Sequence, residues 1–307
     1  MDPLVSASNL TKRFGDFAAV NEIDFQISKG EVFGFLGPNG AGKSSTMRMI
    51  GAVSPLTSGS LSVFGLDPAR DGAKIRARLG VVPQENMLDE ELRVADNLYI
   101  YGRYFDMSRR ELRQKIPELL EFSQLLEKRD AKVDTLSGGM KRRLSIARSL
   151  INTPELVLLD EPTTGLDPQA RHVLWEKLYE LKSQGATLVI TTHYMDEAEQ
   201  LCDRLVVMDN GKIVAEGSPQ GLIREHATKE VLEVRFRDGD RKAASQLLDQ
   251  VSVRTDDLAD RTLLHVDNAD AALSTLADAG YLPLTSLPRR SSLEDVFLRL
   301  TGRTLND

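Results

Sequence analysis

Apolar and polar positions follow a strand-like pattern at the start of the chain. Residues 4–36 alternate with a period of two, and Glu31–Leu36 is almost continuously apolar, which is typical of a buried strand. Short apolar segments at Leu79–Val82, Leu156–Leu159 and Thr187–Thr192 predict three further buried strands. The first part of the chain therefore predicts several strands separated by longer connections.

The pattern changes to helical spacing over about residues 88–154. Ser108 and Glu111 have the spacing of a capping box, in which each side chain hydrogen bonds to the backbone N–H of the other residue. Pro117 lies inside the same predicted helix and is expected to kink or break it, because proline lacks the N–H that continues the helix. We therefore expect a helical subdomain inserted among the strands.

A third pattern begins after Gly217-Ser218-Pro219. The strands and helices predicted there are Val231–Phe236, Arg241–Leu248, Thr262–Val266 and Ala271–Ala279. We expect a first domain over residues 1–220 and a small accessory α+β domain over residues 221–307.

The composition limits the classes of protein to consider. The chain is 41% hydrophobic and 28% charged, as in ordinary globular proteins, and no apolar segment approaches the roughly 18 residues of a membrane span. Cys202 is the only cysteine, which suits a reducing compartment. A net charge of −7 gives no electrostatic reason to expect nucleic acid as a partner. A cytoplasmic protein that reaches a membrane only through a partner is therefore expected.

The strand Glu31–Leu36 leads directly into a glycine-rich motif that matches G-x-x-x-x-G-K-[ST] at every position. The motif consists of Gly37, Pro38, Asn39, Gly40, Ala41, Gly42, Lys43 and Ser44, and we include Ser45 in the site. Glycines let backbone N–H groups approach phosphate oxygens, and a helix from Gly42 to about Ile50 adds the positive end of its dipole. Lys43 is expected on the β- and γ-phosphates, and Ser44 on Mg²⁺. This motif predicts nucleotide binding.

Polar residues stand where the other apolar strands end. Asp160 and Glu161 follow Leu156–Leu159, and Asp160 is suited to supporting Mg²⁺. His193 and Gln84 follow two other strands. Each has a plainer interpretation: acids that cap a strand, a surface or core histidine, and a turn glutamine.

A second possible phosphate clamp lies far from the first. Ser137 can cap a helix, and Gly138 and Gly139 leave the positive end of that helix open to an anion. The basic run 141–143 is interpreted as the solvated face of this helix rather than as a binding patch.

In this order the motifs resemble those of ABC transporter ATP-binding subunits, and the resemblance runs from about Leu4 to Gly217. It implies an α/β fold with a P-loop NTPase (RecA-like) ABC ATPase core, an antiparallel β subdomain, an α-helical signature subdomain and the small C-terminal domain. It implies ATP and Mg²⁺ as ligands, with ATP hydrolysis coupled to transport. It also implies a separate multi-span permease, and hence a position on the inner face of the cell membrane.

The resemblance assigns roles to individual residues. Glu161 would polarise the attacking water, His193 would contact the γ-phosphate, and Gln84 would contact Mg²⁺ or the water at the hinge with the helical subdomain. Phe14 would stack on adenine, with a core phenylalanine as the alternative and Phe17 as a competitor. Ser137, Gly138 and Gly139 would bind the ATP held by a second subunit. Asp167 would communicate between the two sites, cap the following helix, or do both.

The segments Asn97–Phe105 and Asp196–Arg204 are most similar to the exporter branch, notably ATPases of nodulation lipo-oligosaccharide exporters. Ser292–Gly302 resembles the tail of daunorubicin-type exporter ATPases and suggests a module for dimer support or regulation, with a stability appendage as the alternative. The simplest assembly is a homodimer, since each subunit would offer the same two surfaces to the other and the interface would be isologous. A soluble ABC ATPase acting on the ribosome or DNA, a non-hydrolysing regulatory module, an importer subunit and a heterodimer stay open as alternatives.

Overall fold

The computed structural model describes residues 3–237 and 240–302, which divide into two compact units between Gly217 and Ser218. None of the helices in these ranges combines the length and the apolar character needed to cross a bilayer. The strands are β1 (Val5–Phe14), β2 (Phe17–Ile27), β3 (Val32–Leu36), β4 (Ser58–Val63), β5 (Leu79–Val82), β6 (Leu156–Asp160), β7 (Thr187–Thr192), β8 (Arg204–Asp209), β9 (Lys212–Gly217), β10 (Glu230–Arg235), β11 (Arg254–Asp257), β12 (Thr262–Val266) and β13 (Thr285–Arg290). The helices are α1 (Lys43–Ile50), α2 (Pro68–Ala77), α3 (Val94–Tyr104), α4 (Arg109–Phe122), α5 (Gly138–Ser149), α6 (Pro168–Ser183), α7 (Met195–Leu201), α8 (Pro219–His226), α9 (Asp240–Val251), α10 (Ala269–Asp278) and α11 (Leu293–Thr301).

The main sheet of the first unit has the strand order β5-β6-β7-β3-β8-β9. The first five strands are parallel to their neighbours and only β9 runs antiparallel. All five residues of β3 are buried, as expected for a parallel strand that is covered on both faces. Because parallel strands end at the same edge, the loops after β3, β5, β6 and β7 come together there, which is where open α/β sheets bind ligands.

A second, antiparallel sheet has the order β2-β1-β4 and packs against the main sheet. Phe25 of β2 lies with its ring centroid 5.1 Å from that of Phe35 and 6.2 Å from that of Phe33, both in β3. At the far end of the sheet, Phe14 and Phe17 face each other across a tight turn. The contact of Phe25 with β3 fixes the antiparallel sheet, and the turn between β1 and β2, relative to the strand that leads into the P-loop.

Helices α3, α4 and α5 form a separate layer around their own apolar cluster. The capping box of Ser108 and Glu111 is present at the start of α4. This helix does not break at Pro117, contrary to one of the two outcomes expected there. Proline removes a single backbone hydrogen bond, whereas the neighbouring Ile116 and Leu120 bury their side chains in the cluster and hold the helix in place.

The second unit is a four-stranded antiparallel sheet, β11-β12-β10-β13, with an apolar core formed with α9 and α10. Asp295 of α11 is 1% exposed and accepts two hydrogen bonds from the guanidinium of Arg289 in β13, at 2.7 and 2.9 Å. Burial alone would raise the pKa of this carboxyl group, but the hydrogen bonds from Arg289 and from the backbone of Ser292 outweigh burial and lower it. The buried ion pair therefore ties α11 to the sheet.

Candidate nucleotide-binding and hydrolysis site

The loop from Gly37 to Ser44 joins β3 to α1 at the carboxyl edge of the main sheet. Gly42 has a φ of 103°, and a Cβ atom at this position would lie 2.4 Å from the carbonyl oxygen of Ala19. No residue other than glycine fits there, because the dihedral and the contact both exclude a side chain. The loop conformation that the sequence motif predicts is therefore imposed by the surrounding backbone.

Lys43 begins α1 and is almost completely buried. Its ammonium group donates hydrogen bonds to the carbonyl oxygens of Gly37 and Pro38, at 2.8 and 2.9 Å. Burial lowers the pKa of Lys43, and the charges of Glu161 and Asp160 act in the opposite direction. A buried cation is thus held inside a loop of backbone amides, an arrangement suited to a polyphosphate.

Asp160 ends β6 and connects two distant parts of the chain. Its Oδ1 atom accepts a hydrogen bond from Ser44 Oγ at 3.0 Å and another from the hydroxyl group of Thr191 in β7. Hydroxyl and carboxylate oxygens are the ligands that Mg²⁺ prefers, and magnesium is usually bound by one or two such groups together with substrate phosphates. The donor set therefore fits Mg²⁺ beside the P-loop.

The carboxylate of Glu161 contacts side chains from several segments of the site. Gln84 Nε2 and Thr164 Oγ1 donate to its Oε2 atom at 3.2 and 3.1 Å. Its Oε1 atom lies 3.3 Å from His193 Nδ1 and 3.8 Å from Lys43 Nζ. Four groups from separate segments therefore surround one carboxylate that is 6% exposed.

The contact with His193, whose Nδ1 atom lies 3.3 Å from Glu161 Oε1, lowers the pKa of Glu161 and outweighs burial, which would raise it. The nearby charges of His193 and Lys43 and the hydrogen bond from Thr164 also lower the pKa of Glu161. Glu161 is accordingly a carboxylate at neutral pH and has the protonation state that a general base requires.

The residues predicted to form the second phosphate clamp lie at the start of α5. Ser137 caps α5 by accepting a hydrogen bond from the backbone N–H of Met140 at 3.3 Å. A Cβ atom built on Gly138 would have nothing within 4 Å, so the start of the helix is open. Within the described residues, no hydrogen bond or ion pair joins 137–139 to 37–44. The start of α5 is therefore not linked to the chain's own P-loop by a direct hydrogen bond or ion pair.

Comparison with known proteins identifies the family. The family model described as ABC transporter matches residues 20–164, and the model of the Nodulation factor export protein NodI, C-terminal domain, matches residues 241–302. The Nod factor export ATP-binding protein I of Rhizobium sp. (strain N33) is 46% identical over 301 residues, with 98% of each chain covered. The chain belongs to the ABC transporter ATP-binding family.

Solved structures of other ABC transporter subunits are similar to this ABC ATPase in fold. cbiO1 from Clostridium perfringens, part of an ABC transporter complex, shares 27% identity with a TM-score of 0.68, over 80% of this chain and 96% of that chain. The ATP-binding cassette MJ0796, in a dimeric post-hydrolysis state with ADP and Pi, shares 28% identity with a TM-score of 0.64, over 70% and 98% of the two chains. The predicted fold class and family are confirmed. The protein is an ATP-binding, ATP-hydrolysing enzyme of the exporter group of ABC ATPases.

Asp167 directly precedes α6 and caps it by accepting a hydrogen bond from the backbone N–H of Ala170 at 2.8 Å. The capping role, which was one of its two expected roles, is therefore present. A role in communication between two sites requires a second subunit and stays a prediction.

Phe14 is 56% exposed at the turn between β1 and β2, so the alternative of a core phenylalanine is wrong. Lys12 lies with its ammonium group 5.0 Å from the centroid of the Phe14 ring. Phe17 is 63% exposed, and exposure alone therefore does not decide which ring stacks on adenine.

The two rings give a matched pair of variants. Phe14→Ala is expected to weaken ATP binding about tenfold, since stacking of a base on an aromatic ring contributes roughly 1–3 kcal/mol. Phe17→Ala should leave the dissociation constant for ATP within about twofold of the parent value, and isothermal titration calorimetry measures both. The reverse order would assign stacking to Phe17, and two unaffected variants would exclude this turn from the adenine site.

The interpretation of 141–143 as a solvated helix face is wrong at its central residue. Arg142 is 3% exposed, and its guanidinium lies against carbonyl oxygens at the ends of β5 and β6. Arg143 remains partly exposed and hydrogen bonds within the helical layer, to Ser123 O and Gln124 Oε1. A charged triplet gives no signal that one of its members points inward, because that direction depends on the strands beneath the helix.

Proposed function

We propose that this ABC ATPase is one of two identical subunits that close around two ATP molecules and drive a separate permease that exports a cargo of the Nod factor type. The observation that carries the proposal is the position of the Glu161 carboxylate, which lies within 3.8 Å of Lys43, Gln84, Thr164 and His193. A general base, a phosphate-binding cation and two groups that can sense nucleotide are therefore held together at one edge of the sheet.

Each residue takes the role that its surroundings support. Lys43 would bind the β- and γ-phosphates, and Glu161 would orient the attacking water and accept its proton. Ser44 and Asp160 would hold Mg²⁺ together with the phosphates, and the ion would supply positive charge that neutralises theirs; Gln84 would contact the ion or the water. His193 would contact the γ-phosphate from the end of β7. The protein's contribution is mainly positioning and electrostatics.

The open start of α5 supports the dimer. Its backbone amides and helix dipole are suited to a phosphate, and Ser137 can add its hydroxyl group. The P-loop already surrounds the chain's own nucleotide, so the phosphate at α5 would come from a second copy. The dimeric state of the cassette MJ0796 supports the same arrangement.

A groove of about 1140 Å³ between the main sheet and the helical layer is suited to the permease. It includes Gln84 and Asp160 and is lined elsewhere by a mixture of charged, apolar and aromatic side chains, among them Met87 and Tyr104. These two side chains are 68% and 78% exposed. Exposed apolar side chains beside the nucleotide site offer a contact that would sense the nucleotide state through Gln84. Docking there would place the ATPase on the inner face of the membrane.

Affinity capture tests the proposal. The full-length Glu161→Gln protein, loaded with ATP, is expected to recover one multi-span permease from detergent-solubilised membranes. Tyr104→Glu and Met87→Glu, made in the same background, should each lose the permease because they add charge to the groove. Leu126→Glu is the control, since Leu126 is also exposed, at 48%, but does not line the groove.

The outcomes separate the proposed function from its alternatives. Recovery of the permease with all three glutamate variants would exclude the groove as the docking surface. Recovery of ribosomal proteins or DNA complexes without a permease would overturn the exporter function in favour of a soluble ATPase. Accumulation of Nod-factor-type lipids inside cells that lack the gene would test the cargo.

A further inference from the structure

Arg142, in the second turn of α5, uses its whole hydrogen-bonding capacity on backbone carbonyl groups. Nε donates to Pro162 O at 2.7 Å, and Nη2 donates to Asp160 O and Glu161 O at 3.0 and 3.1 Å. An arginine side chain has five N–H donors, one on Nε and two on each terminal nitrogen. These three bonds occupy the donors of two nitrogen atoms.

Nη1 donates to the carbonyl oxygens of Pro83 and Gln84, at 2.5 and 3.2 Å. All five donors of Arg142 are therefore paired with five carbonyl groups, one at the last residue of β6, two just after β6 and two just after β5. These strands are parallel neighbours, so a single guanidinium spans their adjacent ends. In the described part of the chain, Arg142 is in none of the ion pairs, and the carbonyl dipoles are its direct partners.

The backbone that Arg142 binds carries the side chains of the candidate site. Gln84 and Glu161, whose carbonyl oxygens accept from Arg142, hydrogen bond to each other through their side chains at 3.2 Å. In the described residues, none of the five hydrogen bonds of the Arg142 side chain goes to the P-loop, 37–44. Arg142 therefore contacts the backbone of Glu161 and not its carboxylate.

The backbone at Glu161 needs such support. Glu161 has a φ of 45°, in the left-handed region that residues with a side chain rarely adopt. A conformation of this kind persists only where several contacts determine it. The N–H of Glu161 is held by the backbone and hydroxyl oxygens of Thr191, at 3.1 and 3.0 Å, and the carbonyl groups on either side are held by Arg142.

We propose that Arg142 is a positioning residue for ATP hydrolysis, which joins the signature helix α5 to the backbone that presents Gln84 and Glu161. The start of α5 is the predicted contact for the second subunit's ATP. Any movement of α5 must therefore carry the two strand ends with it or break five hydrogen bonds. In this way closure of the dimer and alignment of the catalytic base are mechanically linked. The inference rests on the proposed function, since it assigns Arg142 a role through Glu161.

The test uses the full chain with Arg142→Lys and Arg142→Gln, compared with Arg143→Lys and Arg143→Gln on the same helix. Both Arg142 variants are expected to lower kcat by roughly 10- to 100-fold, because a misplacement of about 1 Å at a reacting group has an effect of that size. The KM for ATP should change less than about threefold, since the P-loop keeps its contacts. Lysine should not rescue, because a tetrahedral ammonium cannot replace a planar fork with five donors. The Arg143 variants should keep the parental kcat.

A double variant shows whether Arg142 acts through Glu161. In a Glu161→Gln background, Arg142→Gln should lower the residual single-turnover rate by less than about twofold, since residues of one unit are non-additive. An equal loss in both backgrounds would overturn the proposal, as would a folded Arg142→Gln protein with a kcat within about twofold of the parent. Failure of both Arg142 variants to fold, or a loss that follows only the folded fraction in thermal melting, would assign Arg142 to stability and also overturn it.

The same measurements separate this inference from the proposed function. If Glu161→Gln keeps the parental turnover, then Glu161 is not the base and the proposed mechanism fails. If Glu161→Gln is inactive and Arg142→Gln is unaffected, only the role of Arg142 fails.

Discussion

Glu161→Gln is expected to lower kcat for ATP hydrolysis by roughly 10²- to 10⁴-fold, the usual contribution of a positioned general base. Glutamine has the same shape and keeps hydrogen-bonding capacity toward Gln84 and Thr164, but it has no proton-accepting carboxylate. The P-loop contacts of Lys43 with Gly37 and Pro38 are independent of this carboxylate. ATP binding should therefore be retained, and the ATP-bound dimer should accumulate in gel filtration or light scattering.

A control on the same strand segment is Glu155→Gln. Glu155 lies just before β6, is 44% exposed in the side chain, and pairs with Arg78 away from the site. Its variant should hydrolyse ATP at the parental rate. Parental turnover by Glu161→Gln would exclude Glu161 as the base, whereas loss of ATP binding would point to a role in folding the site.

The pKa of Glu161 leads to a related expectation for pH dependence. Because the close contact with His193 and nearby positive charge hold this pKa below its ordinary value, Glu161 stays ionised over the neutral range. Because the pKa is lowered, the carboxylate of Glu161 is lost by protonation only below about pH 4.5, the ordinary pKa of a glutamate. Protonation of Glu161 should therefore not limit kcat above about pH 5.

Gly138→Asp is expected to lower ATPase activity by at least about 100-fold, the scale of losing one well-placed donor to a developing oxyanion. In the single chain this change is harmless, because a Cβ atom at Gly138 meets nothing within 4 Å and its backbone is helical. A carboxylate at the start of α5 should even favour the helix, through the dipole. The loss would arise only where α5 meets the phosphates of a second subunit.

Thermal melting and kcat measured on the same preparations check this expectation. Ala271→Asp is the control, since it adds the same charge to the exposed first turn of α10. A Gly138→Asp protein that melts normally and hydrolyses ATP normally would exclude α5 from the active site.

Mixing two inactive proteins tests whether the site is shared between subunits. Lys43→Met removes the cation of the P-loop, and Gly138→Asp blocks α5. In a mixed dimer, one of the two sites combines the P-loop of the Gly138→Asp chain with the α5 of the Lys43→Met chain, and both of these are native. Mixing should therefore restore ATP hydrolysis. No restoration would be expected if each chain used its own α5.

The tertiary structure was needed wherever residues far apart in the chain form one contact. Ser44 and Asp160 share a hydrogen bond although 116 positions separate them, and Gln84 contacts Glu161 across 77 positions. The motifs predicted that these residues act on the same nucleotide, but not which atoms meet. Arg142 was predicted to face solvent, but its side chain is buried. The exposure of Phe14 ruled out the interpretation of this residue as part of the core.

The sequence alone determined the P-loop, the buried strands that lead to Asp160, Glu161 and His193, the signature cap at Ser137 and the family. These features consist of consecutive residues whose chemistry and backbone preferences act locally, so a short pattern is enough to predict them. The fold decided the burial of Arg142, the groove beside Gln84 and the environment that lowers the pKa of Glu161. Each of these depends on which strand ends become neighbours in the sheet. That order is set by long-range packing, which no short stretch of sequence records.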